Sequence, residues 1–256
     1  MSSEAKWSLI LEEHFAQPVL NSELWSYVQG GGGYGNEELQ HYTDRTKNVR
    51  ISEGKLIIEA HEEQYGGDPY TSGKIITKSR FSFQYGKVEI MARLPEGQGI
   101  WPAFWMMPED EHRYGGWPSC GEIDIMEMIG HQPGTVYGTI HFGHPHTYTS
   151  GEYTLKNGAS FSEDFHLFSV EWSEHEMVWY VDNQEYSRLN EWHSSPGGGS
   201  LPYPAPFNAP FYLQVNLAVG GRWPGYPDNS TVFPQQLVVD YIKVYQLIPE
   251  HFVSEK

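Results

Sequence analysis

The chain has 256 residues, of which 39% are hydrophobic, and its 33 acidic against 16 basic side chains give a formal net charge of −17. Such a charge repels a phosphate backbone and an anionic membrane surface, so we expect neither nucleic acid nor a membrane as a partner. The single cysteine, Cys120, excludes an intramolecular disulfide, and no spacing of Cys and His resembles a structural zinc site. The aromatic content of 15% instead suits an acidic protein that binds carbohydrate.

The chain begins with MSSEAKWSLILEEHF, in which one lysine precedes a short apolar patch interrupted by acids. This pattern is not that of a signal peptide. No later run reaches the ~18 apolar residues that a membrane-spanning helix needs. The protein is therefore either cytosolic or has lost a leader that preceded this sequence.

Short apolar runs that are β-branched or aromatic and alternate with polar residues predict an all-β chain. In chain order the strand candidates are residues 55–60, 86–94, 135–142, 166–173, 177–186, 211–219 and 237–247. Asp182-Asn183, inside the fifth candidate, predicts a hairpin turn. The regular spacing is typical of a sandwich of antiparallel sheets, and the absence of an internal boundary predicts a single domain over residues 1–256.

Two glycine- and proline-rich segments, residues 30–42 and 194–207, are predicted to be loops that rim a site or cover a sheet edge. Between the second loop and the last strand, alternation in FYLQVNLAV puts Gln214 and Asn216 on one face. This polar face either meets water or, on the concave side of a curved sheet, binds hydroxyl groups.

The stretch GEIDIMEMIG, residues 121–130, carries Glu122, Asp124 and Glu127 between isoleucines and methionines. On a regular strand Glu122 and Asp124 share a face, whereas Glu127 points into the apolar core as an unpaired charge. A β-bulge around Ile125 and Met126 resets the alternation and brings all three carboxylates to one face. We therefore predict a bulge at this point.

Two glutamates in a cleft, with an aspartate between them, form the arrangement that retaining glycoside hydrolysis requires. One ionised carboxylate attacks the anomeric carbon, and one protonated carboxyl group gives its proton to the leaving oxygen. The alternatives are a metal site and a solvated acidic face. The apolar residues between the acids argue against a solvated face, and the lack of a histidine at nearby spacing argues against a metal.

GEIDIMEMIG resembles the active-site motif of glycoside hydrolase family 16, and its Met126 resembles the laminarinase branch, because the lichenases of the family have a form one residue shorter. Other segments are similar to successive segments of bacterial laminarinases: GGGGYGNEELQHYT, YGKVEIMARLPEGQGIWPAFWMMP, GTIHFG, FHLFSVEW and NLAVGGRWPGYPDNSTVFPQQLVVDYIKVYQ. Together they cover nearly the whole chain in order.

The resemblance implies a β-jelly-roll sandwich of two curved antiparallel sheets with an open concave substrate cleft. It implies endo-hydrolysis of β-1,3-glucan with retention of configuration, with Glu122 as nucleophile, Glu127 as acid/base and Asp124 as assisting carboxylate. Mixed-linkage glucan or an algal galactan is an alternative substrate, and a non-catalytic glucan-binding module is an alternative of another class. We expect a β-glucan partner, no cofactor for catalysis and a monomer. We also expect secretion, because a glucan-degrading enzyme must leave the cell.

The family also uses tryptophans near the acids as sugar platforms, and these correspond to Trp101, Trp105 and Trp117. Because Trp101 and Trp105 are four residues apart, we do not expect both to face the cleft, and we favour Trp105 and Trp117 over Trp101. Trp172 and Trp179 lie in alternating strands and are predicted to be core.

Further substrate-binding positions follow from the same resemblance. Asn36 matches an asparagine of the glycine-rich loop that contacts sugar, and Trp223 lies in the loop after the strand that carries Gln214 and Asn216. His141 in GTIHFG occupies the family position near the acids, with a purely structural histidine as the alternative.

Many members of the family bind a structural Ca²⁺ on the convex face. The ligands are an aspartate of the last strand and backbone carbonyls of the amino-terminal segment and of a turn glycine, and the matching positions are Asp240, Glu13 and Gly54. The chain departs from the family at two places. A common Asp-Glu-Phe reads Glu13-His14-Phe15, which bears on the calcium site, and a frequent arginine is replaced by Lys74.

Overall fold

The computed structural model describes residues 7–195 and 199–247. The described chain has 17 strands and two short 3₁₀ segments, Gly33–Gly35 and Lys156–Gly158. The strands are β1 (Trp7–Glu13), β2 (Ser26–Tyr27), β3 (Gln40–Tyr42), β4 (Val49–Ser52), β5 (Lys55–Tyr65), β6 (Asp68–Ser72), β7 (Lys74–Ile76), β8 (Gly86–Arg93), β9 (Ile100–Pro108), β10 (Glu122–Glu127), β11 (Thr135–Phe142), β12 (Thr147–Thr154), β13 (His166–Trp172), β14 (Met177–Val181), β15 (Gln184–Leu189), β16 (Phe211–Val219) and β17 (Gln235–Leu247). No helix in these ranges is long and apolar enough to cross a bilayer.

Each of the predicted strands is present, and the hairpin between β14 and β15 turns where the sequence places it. Asp182 and Asn183 have φ angles of 49° and 63°, the pair of positive values that a two-residue type I′ turn needs. The loop predicted over residues 30–42 differs in part, because it contains the first 3₁₀ segment and ends in β3. Residues 196–198 of the second predicted loop lie outside the described chain.

The strands form two sheets. The larger runs β15-β14-β13-β8-β17-β5-β6-β3, with β1 pairing β17 and β4 pairing β5. The smaller runs β12-β11-β10-β9-β16-β7-β2. Neighbouring strands pair antiparallel except β3 and β6, which are parallel. Strands distant in sequence are neighbours in both sheets, as the Greek-key crossings of a jelly roll require.

The core lies between the two sheets. Phe104 of the smaller sheet packs against Phe168 of the larger with ring centroids 6.2 Å apart. Trp172 and Phe211 meet edge to face at 5.2 Å. Trp172 and Trp179 are 1% and 0% exposed, which confirms the prediction that both are core. Because this core occupies one face of the smaller sheet, its opposite face is free to carry a site.

Candidate active site

Strand β10 contains the predicted bulge. On its β11 side Asp124 pairs with Thr139 and Glu127 pairs with Tyr137, so two residues of β10 stand opposite the single Gly138. The register against β9 shifts at the same place, between Asp124 and Met126. The prediction is confirmed, and the intervening residues Ile123, Ile125 and Met126 all belong to the core.

The bulge is supported by a residue of the other sheet. The indole Nε1 of Trp179 on β14 donates a hydrogen bond of 2.8 Å to the backbone carbonyl of Asp124. A Cβ atom added to Gly138 would collide with the Trp179 ring, so a glycine is required opposite the bulge. The extra residue of β10 therefore does not leave this buried carbonyl unsatisfied.

The three carboxylates line one cavity of about 140 Å³ on the face of the smaller sheet that turns away from the core. Strand β9 lies beside β10, and β16 lies beyond β9, because β9 pairs with both β10 and β16. The lining residues are Tyr34, Asn36, Glu38, Tyr42, Lys74, Trp101, Ala103, Trp105, Glu122, Asp124, Glu127, Asn216 and Ala218.

Each carboxylate has its own partner. Trp117 Nε1 donates to Glu122 Oε2 at 2.8 Å, and Trp101 Nε1 donates to Glu127 Oε1 at 3.1 Å. His141 Nε2 lies 3.2 Å from Asp124 Oδ2. The two glutamates are therefore held by indoles on either side of an aspartate that faces a histidine.

Burial sets the protonation of the three acids. It raises the pKa of Glu122 to about 8, with the negative charge of Asp124 adding to the effect and His141 and the Trp117 hydrogen bond opposing it. It raises the pKa of Asp124 to about 7. Burial, followed by the charge of Asp124, lifts the pKa of Glu127 well above its ordinary range. Both glutamates therefore keep their protons to higher pH than a free glutamate does, and a raised pKa of this kind is what a carboxyl group needs to act as a general acid.

These raised pKa values predict a stability cost that depends on pH. A buried glutamate with a higher pKa in the folded state than in the unfolded chain binds more protons when folded, so its cost is absent below the unfolded pKa and grows as pH rises toward the folded value. We expect Glu122→Gln to raise the free energy of unfolding by about 1–3 kcal/mol at about pH 8 and to leave it unchanged near pH 4.

Thermal unfolding of the Glu122→Gln variant across this pH range measures the effect. The exposed Glu163 provides a matched control, since Glu163→Gln removes the same charge outside the cavity. An increase in the free energy of unfolding that is equal in both variants, or independent of pH, would contradict the raised pKa of Glu122.

Both tryptophans of β9 face the cavity. Trp101 donates to Glu127, and Trp105 Nε1 donates to Asn216 Oδ1 at 2.6 Å. The expectation that they do not both face the cleft was wrong, because four residues are two full periods of a strand and bring side chains back to the same face.

Of the other residues predicted to bind sugar, some line the cavity and others do not. Asn36 and Asn216 line the cavity. Trp223 is 42% exposed and packs edge-on against Trp101, with centroids 5.5 Å apart. Gln214 shares the face of Asn216 but is 4% exposed and is not among the lining residues, so this face is covered rather than open to water.

Sequence reasoning placed Lys74 as a departure from the family but did not assign it to the site. Its Nζ lies 4.3 Å from the centroid of the Trp105 ring, and burial lowers its pKa to about 8. Glu38 was also missed, although it accepts hydrogen bonds from Gln40 and Asn36 in the cavity wall. Glu38 lies in a segment that resembles the family, whereas Lys74 is noted only as a departure from the family.

The positions predicted to bind calcium lie together in the larger sheet. Asp240 on β17 contacts Lys55 Nζ at 3.0 Å, and Lys55 directly follows Gly54. Glu13 ends β1 opposite Ile242, two residues beyond Asp240. A carboxylate oxygen is a ligand that a hard cation takes, but Lys55 competes for that of Asp240.

Among the described residues, Glu122, Asp124 and His141 are the group of acids and histidines whose ligand atoms lie within 4.8 Å of one another. A cation held there would keep Glu122 from reaching a sugar. We therefore ascribe no metal to these residues.

Comparison with known proteins identifies the family. The model of "Glycosyl hydrolases family 16" matches residues 36–243. The chain is 42% identical over 252 residues to the "Beta-glucanase" of Rhodothermus marinus, which covers 94% of this chain and 86% of that protein. It is 40% identical to "Glucan endo-1,3-beta-glucosidase A1" of Niallia circulans over 94% of this chain, but spans only 38% of that longer protein.

Among solved structures, the X-ray structure of the laminarinase from Rhodothermus marinus superposes with a TM-score of 0.85 at 39% identity, covering 96% of this chain and 100% of that one. This likeness, together with the order of the strands, confirms the predicted jelly-roll sandwich of antiparallel sheets.

Proposed function

Because this chain belongs to glycoside hydrolase family 16, we propose that it is an endo-β-1,3-glucanase that hydrolyses laminarin-type β-glucans with retention of configuration. The observation that carries the proposal is the bulge of β10, which turns Glu127 to the side of Glu122 and Asp124. Without that extra residue, the chain would have one glutamate in the cleft and the other in its core.

In the first step of the proposed reaction, the Glu122 carboxylate attacks the anomeric carbon of the sugar bound above it. Glu127, kept protonated by its raised pKa, gives its proton to the glycosidic oxygen as the bond to that oxygen breaks. The products are a covalent glycosyl-enzyme on Glu122 and a shortened glucan that leaves with a new hydroxyl group.

In the second step Glu127, now ionised, takes a proton from a water molecule, whose oxygen attacks the anomeric carbon and releases Glu122. Two inversions at one carbon give net retention. Asp124 lies between the glutamates in the strand, and its negative charge raises the pKa of both. His141 opposes that charge from 3.2 Å away.

The walls of the cavity suit a glucan chain. The indole faces of Trp101 and Trp105 on one strand give apolar platforms for pyranose rings, and Asn36 and Asn216 offer amide donors and acceptors for hydroxyl groups. Trp223 and Trp117, both exposed, extend aromatic surface beyond the two ends of the acid strand. We propose that these residues bind substrate.

A mixed-linkage β-glucan is the main alternative substrate, and a non-catalytic glucan-binding module is the alternative of another class. The extra Met126 favours the laminarinase reading over the lichenase form. A binding module does not account for three carboxylates buried in one cavity. Their burial costs stability, and a catalytic role explains why this cost is borne.

Product analysis on a panel of polysaccharides tests the proposed function. Laminarin, mixed-linkage glucan, agarose and carrageenan are each incubated with the protein, and the release of reducing ends is followed together with product length. We expect laminarin to be cut into oligosaccharides of several sugars before glucose accumulates. No new reducing ends from laminarin, with binding intact, would favour the glucan-binding module.

We further propose a structural Ca²⁺ at Asp240, with the carbonyls of Gly54 and Glu13 as the other protein ligands. Such an ion binds only the folded chain, so the melting temperature is expected to rise with Ca²⁺ concentration and to fall after chelation. At 100 times the dissociation constant the gain is about 2.7 kcal/mol.

Differential scanning calorimetry of the wild type and the Asp240→Ala variant checks this prediction. The Lys55→Met variant adds a sharper test, because removing the ammonium that contacts Asp240 is expected to strengthen the response to Ca²⁺. An identical melting temperature with Ca²⁺ and with chelator in all three proteins would contradict the site.

The activity implies a protein that works outside the cell, since a glucan polymer does not enter it. We therefore propose a secreted monomer whose partner is the polysaccharide. Size-exclusion chromatography with light scattering measures the subunit number, and a mass near the 29.3 kDa of the chain is the expected result.

A further inference from the structure

His141 stands between the catalytic carboxylates and a second histidine. Its Nε2 lies 3.2 Å from Asp124 Oδ2, and its Nδ1 lies 2.9 Å from His146 Nε2. The two imidazoles are stacked, with centroids 5.2 Å apart and an angle of 21° between their planes. His146 precedes β12 in the loop that follows β11, and it is exposed. A line of contacts therefore runs from a buried aspartate to solvent.

The contact between the two histidines holds a single proton. Two ring nitrogens 2.9 Å apart form a hydrogen bond only if one carries hydrogen and the other a lone pair. Burial, followed by the positive charge of His141, lowers the pKa of His146. When His141 is protonated, its Nδ1–H therefore donates to a neutral His146, and its positive charge lies close to Asp124, with Nε2 3.2 Å from Oδ2.

We propose that His146 is a positioning residue for the reaction: by accepting a hydrogen bond from His141, it holds the imidazolium of His141 against Asp124 and so favours the ionised state of Glu122. This inference rests on the proposed function, since it concerns the same carboxylates. His146 itself touches none of them in the described contacts. Its action passes through His141.

The groups around His141 determine the direction of the effect. Glu122 and Asp124 face it from β10, Glu127 is close enough for its proton affinity to be lowered by it, and His146 and Tyr148 face it from the other side. Lys74 is the other cation whose charge is felt at Glu122. Loss of positive charge at His141 therefore leaves more of the negative charge of the acids uncompensated, and the three carboxyl groups keep their protons to higher pH.

Two substitutions separate the hydrogen bond of His146 from its ring. His146→Phe removes the acceptor but keeps an aromatic ring against Trp117, whose centroid lies 4.8 Å from that of His146. His146→Gln keeps a hydrogen-bonding group and removes the ring. The exposed His175, outside the site, provides a matched control as His175→Phe.

The dependence of kcat/KM on pH, measured on laminarin, is the first readout. We expect His146→Phe to shift the acid limb upward by about one pH unit and to lower kcat by about tenfold at the wild-type optimum, with KM within about twofold. His146→Gln is expected to stay close to the wild-type profile, and His175→Phe to match it.

The opposite pattern would overturn the proposal. If His146→Gln raises KM while His146→Phe behaves as wild type, the ring of His146 is a sugar platform and its hydrogen bond is immaterial. If both variants match the wild type, His146 has no part in the reaction.

A second readout does not depend on activity. Nitrogen-15 NMR of the imidazoles reports the hydrogen bond at His141 Nδ1 directly, and the chemical shift of this nitrogen is expected to differ between His146→Phe and the wild type. A wild type inactive on laminarin with this NMR shift present would refute the proposed function alone. An active wild type with no NMR shift would refute the role of His146 alone.

Discussion

The Glu122→Ala variant is expected to lose hydrolysis of every β-glucan by roughly 10⁴-fold or more, because no other carboxylate of the cavity is placed to form the covalent intermediate. Truncation also opens a space beneath the anomeric carbon. A small anion such as azide is expected to enter it and to attack from the side that Glu122 occupied. Glu127 is still present to protonate the leaving oxygen, so a single displacement proceeds.

The product of this rescue identifies the nucleophile. One displacement inverts the carbon, so the expected product is an α-glycosyl azide from a β-linked substrate. The exposed Glu163 again provides a control, since Glu163→Ala is expected to hydrolyse laminarin normally and to form no azide adduct. A β-glycosyl azide from Glu122→Ala would mean that Glu122 is not the attacking residue.

Loss of the other glutamate has a different outcome. Glu127→Ala leaves Glu122 able to attack, but the glycosidic oxygen receives no proton, so hydrolysis of laminarin is expected to fall by about 10²- to 10⁴-fold. With an aryl glycoside, whose leaving group needs no proton, the glycosyl-enzyme is expected to form rapidly and then to persist, because no base activates water.

Rapid-mixing kinetics measure this second prediction as a burst of released phenol equal to the enzyme concentration, followed by a slow steady state. Azide, which needs no general base, is expected to speed the slow phase and to give a β-glycosyl azide after two inversions. Inversion from Glu127→Ala together with retention from Glu122→Ala would exchange the two roles.

Much of the fold is readable from local pattern. The strands predicted from alternation are present, and the turn at Asp182-Asn183 follows from backbone preferences alone. Strand β12 was missed because its TYTSGEYT sequence has no apolar face, and every second residue is exposed at the edge of the smaller sheet. Its place is determined by pairing with β11 rather than by its own composition.

The bulge of β10 is predicted by the sequence, but the residues that stabilise it are not. Three acids in an apolar run avoid a buried unpaired charge if the strand carries a bulge, and the sequence alone therefore predicts the bulge. The sequence does not predict which residues stabilise the bulge. Trp179 and Gly138 come from different sheets, and their residue numbers differ by 41.

The residues missed in the cavity share the same cause. Lys74 and Glu38 are distant in sequence from the acids. The pairing of β7 with β16 brings Lys74 to the cavity, and the Leu39 N–H, next to Glu38, donates to the carbonyl of Val219 at the end of β16. The error over Trp101 and Trp105 was of another kind, since the period of a strand was sufficient to place both on one face.

The configuration of the sugar released first from laminarin tests the central claim most directly. Proton NMR of the reaction, recorded before mutarotation equilibrates the new reducing end, separates the α and β anomeric signals. A double displacement through Glu122 predicts that the β-anomer appears first and the α-anomer grows in afterwards. If the α-anomer appears first, the reaction is a single displacement, and the assignment of Glu122 as a covalent nucleophile is wrong.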